Sequence, residues 1–198
     1  MAILVAINRN FISRQDGLSR IAKITNFLSN QAQRYHGAFP HWLNGTTGAT
    51  VPFSQKDDGA DLVETSFLMQ GLLTARQYFN SSTSADEIAL RKAINVLWDG
   101  VEWNWFTKNG AESNLYWHWS PTYNWDMNLP IRGWNEALIT HVLAASSNTS
   151  PISKAVYDNG WAQNGNMANG NSYYDTKLPL GPAYGGPLFF SHYSFLGI

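Results

Sequence analysis

Apolar side chains recur every three or four positions in five stretches of the chain, and each stretch predicts a helix. The predicted helices cover residues 16–35, 57–79, 85–103, 134–147 and 151–161. The second stretch carries an apolar stripe formed by Leu62, Leu68, Leu72, Ala75 and Phe79. A stripe of this length needs a core to pack against, so we expect the rest of the chain to be organised around this helix.

The segments between these stretches lack a helical period. Residues 1–15 match no clear pattern and stay unassigned, with Ala2–Ile7 interpreted as an edge strand or as a remnant of expression. Residues 104–133 form a long loop rich in Trp and Tyr, in which residues 114–120 alternate as a strand pair would. After Trp161 the chain is rich in Gly, Asn and Tyr, and no helix is expected there. The predicted fold class is all-α, with one domain over residues 16–198.

Composition narrows the range of ligands. Charged residues make up only 14% of the 198 positions and the net charge is −1, which argues against a nucleic-acid partner. The chain has 9 Trp, 9 Tyr and 10 Phe among many Asn, Ser and Thr residues, a composition that suits a neutral ligand such as a sugar. No cysteine is present, so disulfides and thiolate metal sites are excluded. The N-terminal apolar run is too short for a signal peptide or a membrane span, so no membrane partner is expected.

Acidic residues cluster at the start of the second predicted helix. Asp57, Asp61 and Glu64 stand at i, i+4 and i+7, so they share one face if the helix extends back to Asp57. Asp61-x-x-Glu64 also has the form of a capping box, in which Asp61 caps the helix. Capping and catalysis are compatible, because a carboxylate at a helix N-terminus can still face a cleft.

Glu136 is the fourth acid of interest, in the first turn of the helix predicted at 134–147. It either stabilises the helix dipole or faces the acids of the second helix across a cleft. Glycoside hydrolysis needs two carboxyl groups on opposite sides of the scissile bond, and neighbours on one helix cannot straddle a bond. We therefore pair Glu136 with the Asp57, Asp61 and Glu64 group.

Other chemistries find little support. The five histidines show no HExxH spacing, so no metal and no cofactor are expected. Ser66 and Ser191 lie in no nucleophile elbow, and the glycines between Gly181 and Gly186 lack the features of a phosphate loop. The aromatic residues from Tyr116 to Trp125 are interpreted either as buried packing or as a platform for sugar rings.

Five long motifs resemble a known family. They are HGAFPHWLNGTTG, DGADLVETSFLMQGLLTARQYF, YWHWSPTYNW, RGWNEALITHVLAASS and GPLFFSHYSFLGI. In this order they resemble the bacterial glycoamylase-like family, which includes endo-β-1,2-glucanases and the related domain of cyclic β-1,2-glucan synthases. The resemblance covers about residues 20–198. It implies an (α/α) toroid of six helical hairpins with an acidic substrate groove at one end, and hydrolysis that inverts the anomeric centre.

The resemblance also implies roles for residues. Glu136 would be the general acid, and Asp61 and Glu64 would bind sugar hydroxyls or orient the attacking water. The expected substrate-binding residues are Asp57, Trp42, Trp117, Trp119, Trp125, His192 and Tyr193. Family members are periplasmic or secreted, and no signal sequence is found in this chain.

A complete toroid needs twelve helices, and this sequence provides about half of them. We therefore expect a toroid that is incomplete at its C-terminus. The substrate would be an oligosaccharide or polysaccharide, and the missing C-terminal half of the toroid is an expected partner. Two alternatives to catalysis remain: a non-catalytic sugar-binding module, or a helical fragment that another chain completes.

Overall fold

The computed structural model describes residues 1–195. Its α-helices are α1 (Ala2–Asn8), α2 (Arg14–Asn30), α3 (Leu62–Tyr78), α4 (Ala85–Asp99), α5 (Leu138–Ser146), α6 (Lys154–Asn159) and α7 (Leu188–Ser194). Short 3-10 helices cover Trp103–Thr107 and Gln163–Gly165. Three antiparallel pairs of two-residue strands complete the structure: β1 (Trp42–Leu43) with β2 (Thr50–Val51), β3 (Ala60–Asp61) with β4 (His118–Trp119), and β5 (Ser172–Tyr173) with β6 (Thr176–Lys177).

Helix α3 lies at the centre, as its apolar stripe predicts. It packs against α4 on one side and α5 on the other, while α2 packs against α4 and α1. Leu62, Leu72, Ala75 and Phe79 of the predicted stripe are buried, and Leu68 is partly buried. The predicted inner face of α4 is also confirmed, since its residues Leu90, Ile94, Leu97 and Trp98 are buried, and so is Val101 just beyond it.

The N-terminal segment is a helix, so the edge-strand interpretation of Ala2–Ile7 is wrong. Leu4 and Ile7 of α1 are buried against α2. A Cβ on Gly17 of α2 would lie 2.3 Å from Ile7 Cδ1, so the absence of a side chain lets the two helices approach. The six residues from Ala2 to Ile7 are all apolar, so their sequence shows no helical period. The helix is favoured by its packing against α2.

Helix α2 ends at Asn30 instead of Tyr35. The chain then turns so that the Gln33 backbone N–H donates to the Gly48 carbonyl, and Tyr35 pairs with Ala38. Gly37 has φ +76°, and a Cβ there would lie 1.9 Å from the Gly100 carbonyl oxygen. The turn after α2 thus depends on contacts with remote loops that helical periodicity does not reveal.

Three further boundaries differ from prediction. Helix α5 begins at Leu138, so Glu136 lies before its first turn; the Asn135 side chain accepts from the Ala137 N–H at 2.9 Å and fixes the turn there. Helix α6 begins after Ser153, which leaves Pro151 outside. Helix α7 forms where no helix was expected, and it carries His192 and Tyr193.

The pairing of β3 with β4 brings the acidic segment to the aromatic loop. Asp61 stands opposite His118, and the Leu62 N–H that follows donates to the Trp117 carbonyl. The strand pair considered within residues 114–120 is therefore formed with a remote partner. Within residues 1–195, no helix combines the length and hydropathy needed to cross a bilayer.

Candidate active site

Asp61 is the structural centre of the acidic segment. Its carboxylate Oδ1 accepts from the Glu64 backbone N–H at 3.0 Å, which confirms the N-cap interpretation. The Asp61 N–H instead donates to the Phe39 carbonyl, so the Glu64 side chain does not close the second half of a capping box. Asp61 Oδ2 accepts from His41 Nδ1 at 2.8 Å. The Asp61 side chain has 0% exposed surface, so its charge is satisfied entirely by protein groups.

Asp57 lies close to Asp61 but belongs to a different part of the chain. It lies in a turn before β3, not on α3, so the predicted arrangement of three acids on one helical face is wrong for Asp57. His118 Nε2 lies 3.3 Å from Asp57 Oδ2 and 3.5 Å from Asp61 Oδ2, and thus stands between the two carboxylates. Burial raises the pKa of Asp57 above its ordinary value; the nearby His118 opposes this effect and the Asp61 charge adds to it.

Glu64 and Glu136 form the open side of the cluster. Glu64 is exposed in the first turn of α3, and Glu136 is half-buried just before α5. Desolvation raises the pKa of Glu64, and the negative charges of Asp61 and Glu136 raise it further. The nearby His41 opposes this shift, and Glu136 makes the smallest of these contributions. The pairing of Glu136 with this segment stays a prediction.

The predicted substrate-binding tryptophans lie in different surroundings. Trp42 is 51% exposed and its ring packs near His41 and Phe53. Trp117 is half-buried, with its ring parallel to the His118 ring at 6.1 Å. Trp119 and Trp125 both pack against Trp105 in a partly buried aromatic cluster. Because side chains alternate along a strand, Trp119 points away from the face of β4 that presents His118.

Helix α7 lies against the same region. Tyr193 packs edge-on against Phe67, which is one turn after Glu64 on α3. The Ser194 hydroxyl donates to the Asn135 carbonyl at 2.5 Å, next to Glu136. His192 is exposed. The structure thus brings Tyr193 near the Glu64 face of α3.

One group of side chains has the composition of a cation site. His41, Asp57 and Asp61 each place one potential ligand atom within 4.8 Å of the others. The His41 Nδ1–Asp61 Oδ2 distance of 2.8 Å is also that of a hydrogen bond between the two, and this bond accounts for their approach without an ion.

Two histidines and one phenylalanine of the site escaped sequence analysis. His41 is 20 positions before Asp61, and His118 is 57 positions after it, so no local spacing connects them. The β3–β4 register places His118, and His41 lies in the short connection between the Tyr35–Ala38 bridge and β1. Phe53 carries no signal beyond being an apolar residue in a polar loop.

Comparison with known proteins shows which family this chain resembles. The Glycoamylase family model matches residues 128–198. The chain is 47% identical to the exo-β-1,2-glucooligosaccharide sophorohydrolase (non-reducing end) of Parabacteroides distasonis, across 100% of this chain and 30% of that protein. It superimposes on the endo-β-1,2-glucanase of Chitinophaga pinensis, solved with sophorotriose and glucose, with a TM-score of 0.94 and 50% identity. The chain is similar to the glycoamylase-like family in sequence and in fold.

The chain spans between 30% and 48% of the length of the solved relatives that it matches. All of it matches the Chitinophaga pinensis glucanase, but it covers only 47% of that chain. The crystal structure of a β-1,2-glucanase from Parabacteroides distasonis matches with a TM-score of 0.93 and 46% identity, over 100% of this chain and 30% of that one. These matches confirm a helix-rich glycoamylase-like fold for the part of the family that this chain represents.

Proposed function

We propose that this chain carries carboxyl groups of a glycoside hydrolase that cleaves a β-1,2-linked glucan. The observation that carries the proposal is the close approach of the first turn of α3, which carries Glu64, to α5, which follows Glu136. Ser66 of α3 and Thr140 of α5 are joined there by a hydrogen bond of 2.6 Å. The names of the relatives support the linkage, because the Parabacteroides distasonis and Chitinophaga pinensis enzymes act on β-1,2-linked glucose.

In the proposed reaction, Glu136 donates its proton to the glycosidic oxygen as the bond to the anomeric carbon breaks. A water molecule attacks that carbon from the opposite face, so the configuration inverts, and its proton passes to a carboxylate base. Glu64 binds the sugar or orients the water. Burial and the Asp61 charge raise the pKa of Glu64, which favours its neutral form.

The remaining site residues have supporting roles in this proposal. Asp61 and Asp57 hold the histidines, and Trp42, Trp117 and Tyr193 contact sugar rings. Trp119 and Trp125 support the loop that carries His118, and His192 lies at the edge of the groove. We further propose that the fold is part of an (α/α) toroid of six hairpins, which a C-terminal half like that of the longer relatives completes.

The experiment is an assay of reducing sugar released from β-1,2-glucan, with β-1,3- and β-1,4-glucans as linkage controls. We expect the wild-type chain to release sugar only from the β-1,2-linked polymer, as an anomer of inverted configuration detectable by NMR. Glu136→Gln should lower the rate at least about a hundredfold. Glu112→Gln, at an exposed loop position, is the matched control and should leave the rate unchanged. Equal rates for Glu136→Gln and wild type would contradict the role of Glu136.

A second candidate function is sugar binding without catalysis. It is favoured by the exposed side chains of Trp42 and Phe53, which pack against each other at 4.9 Å and suit contact with a sugar ring whether or not a bond is cleaved. Under this alternative, β-1,2-linked oligosaccharides bind but no reducing ends appear, and Glu136→Gln leaves the affinity unchanged. A fragment completed by another chain would instead gain activity on mixing with it, and its mass by light scattering would increase.

A further inference from the structure

Asp61 has no free atom to offer a substrate. Its Oδ1 is bonded to the Glu64 N–H, its Oδ2 is bonded to His41, and the side chain has 0% exposed surface. A buried carboxylate held in this way acts on its surroundings through the groups bonded to it. Of those groups, only His41 combines a titratable ring with access to solvent, because its side chain is 25% exposed and that of His118 only 8%.

The bond to Asp61 fixes the chemical state of His41. An ionised carboxylate only accepts hydrogen bonds, so the proton of a neutral His41 ring lies on Nδ1. The other ring nitrogen, Nε2, then carries a lone pair. Among residues 1–195 His41 has no further hydrogen bond, so Nε2 is free to accept one from a ligand.

The His41 ring packs beside two aromatic side chains that are exposed to solvent, Trp42 and Phe53. Its ring lies 4.3 Å from the Phe53 ring and 5.7 Å from the Trp42 ring, measured between centroids. Trp42 and Phe53 pack edge to face at 4.9 Å and are 51% and 52% exposed. Exposed aromatic side chains in contact with each other, beside an oriented polar group, are the elements of a small-molecule subsite.

We propose that His41, Trp42 and Phe53 form a sugar subsite, in which His41 Nε2 accepts a hydrogen bond from a glucose hydroxyl. Trp42 and Phe53 form the wall against the C–H face of the same ring. Asp61 is then a positioning residue that orients His41. This inference rests on the proposed function only for the identity of the sugar as a β-1,2-linked glucose unit.

A first measurement addresses the tautomer. Long-range proton–nitrogen NMR spectra of the full chain, labelled with ¹⁵N-histidine, distinguish the two neutral forms of each ring. We expect the His41 signal to show a proton on Nδ1 and none on Nε2. A ring protonated only on Nε2 would contradict the proposal, and would instead fit an ion held between His41, Asp57 and Asp61.

A second measurement addresses contact with the sugar. The labelled chain, carrying Glu136→Gln so that the ligand stays intact, is titrated with a β-1,2-linked glucose trisaccharide. We expect the His41 Nε2 resonance to move to saturation along with Trp42 fluorescence. If the His41 Nε2 resonance does not move at the highest ligand concentration, the proposed subsite is wrong, even if the tryptophan fluorescence changes.

Two variants separate contact from structural support. His41→Asn keeps a donor near Asp61 but lacks the distal nitrogen, and should weaken trisaccharide binding about tenfold. His36→Asn is the matched control, because His36 makes the same type of bond with Nδ1, to Glu102 at 2.9 Å, and is similarly exposed at 27%. It should leave the affinity unchanged. Equal affinities for His41→Asn and the parent chain would overturn the proposal.

The hydrolysis assay on the wild-type chain keeps the two proposals distinguishable. Sugar release without a response at His41 Nε2 would leave the hydrolase standing and remove the subsite. A response at Nε2 without sugar release would establish the subsite and remove catalysis by this chain.

Discussion

Ser66 on α3 and Thr140 on α5 share a hydrogen bond of 2.6 Å, and neither side chain has exposed surface. The Ser66 hydroxyl donates to the Val63 carbonyl, so Thr140 is the donor to Ser66. The bond links the first turn of α3, next to Glu64, to the first turn of α5, four residues after Glu136. It is a direct polar link between α3, which carries Glu64, and α5, which follows Glu136.

Removing this link should destabilise the chain and misplace the acids. Thr140→Val keeps the side-chain shape but loses the donor, and should lower the free energy of unfolding by about 1–2 kcal/mol. The loss in the double variant with Ser66→Ala should be smaller than the sum of the single losses, because both remove the same bond. Urea unfolding measures all three. Additive losses, or a loss equal to that of exposed Thr46→Val, would contradict the interpretation.

Asp57 predicts a dependence of stability on pH. Burial raises the pKa of its carboxyl group in the folded state, so the folded state holds the proton more tightly than the unfolded one. The stabilising effect is complete below the unfolded pKa and is lost as the pH rises through the folded pKa. Asp57→Asn does not titrate. Its stability relative to wild type should therefore increase from about pH 4 to pH 7, by denaturant unfolding. A difference that stays constant or falls would contradict this assignment.

The interior of the helices was predictable, but several of their ends were not. The stripe from Leu62 to Phe79 repeats often enough to identify α3 and its buried face from sequence alone. The end of α2 depends on the Gln33–Gly48 hydrogen bond, and the start of α5 on the Asn135 side chain. The periodicity of apolar residues reveals neither of these two hydrogen bonds.

The pattern of residues alone pointed to the acids of the candidate site, and the family resemblance added aromatic residues such as Trp42 and Trp117. The cluster from Asp57 to Glu64 stands out in a chain with few charges, and Glu136 was paired with it because two carboxyl groups must come from different elements. His41 and His118 both contact Asp61, from which they are 20 and 57 positions away in the sequence. Contacts over such separations are defined only by the folded chain. The length of the aromatic loop marked it as unusual in the sequence. The sequence did not show that Trp117 lies beside His118 while Trp119 packs against Trp105, because this depends on the alternation of side chains along β4.

His141 predicts a second, opposite dependence on pH. The ring is fully buried on α5, and neither nitrogen has a hydrogen-bond partner in residues 1–195. Burial lowers the pKa of His141 to about 4; the Ala137 carbonyl opposes the shift but lies outside hydrogen-bonding geometry. The stability gained from the neutral ring is present above the unfolded pKa near 6.5 and is lost as the pH falls through the folded pKa.

The expected loss from His141 is about 3 kcal/mol between pH 6.5 and pH 4, at about 1.4 kcal/mol for each pH unit. His141→Leu should remove most of this acid-side slope in unfolding measurements, even if it is less stable at neutral pH. The variant His36→Asn, at a partly exposed histidine, should retain it. An unchanged slope in His141→Leu would show that another group causes the acid sensitivity.

Removal of divalent cations should leave the chain unaffected. The approach of His41 to Asp61 is explained by a hydrogen bond, so the His41, Asp57 and Asp61 group needs no ion to hold together. Dialysis against a chelator is expected to change neither the melting temperature nor the rate of sugar release. A loss of either that zinc or manganese restores would establish a metal site at these residues.

The most direct test of the central claim concerns the proton that Glu136 donates. A nitrophenyl glycoside of the β-1,2-linked glucose disaccharide releases a phenolate that needs no protonation, whereas a glucan releases a sugar hydroxyl that does. If Glu136 is the general acid, Glu136→Gln loses at least about a hundredfold in rate on the β-1,2-glucan but less than about tenfold on the nitrophenyl glycoside. Equal losses on both substrates would contradict proton donation by Glu136 and leave it a role in binding.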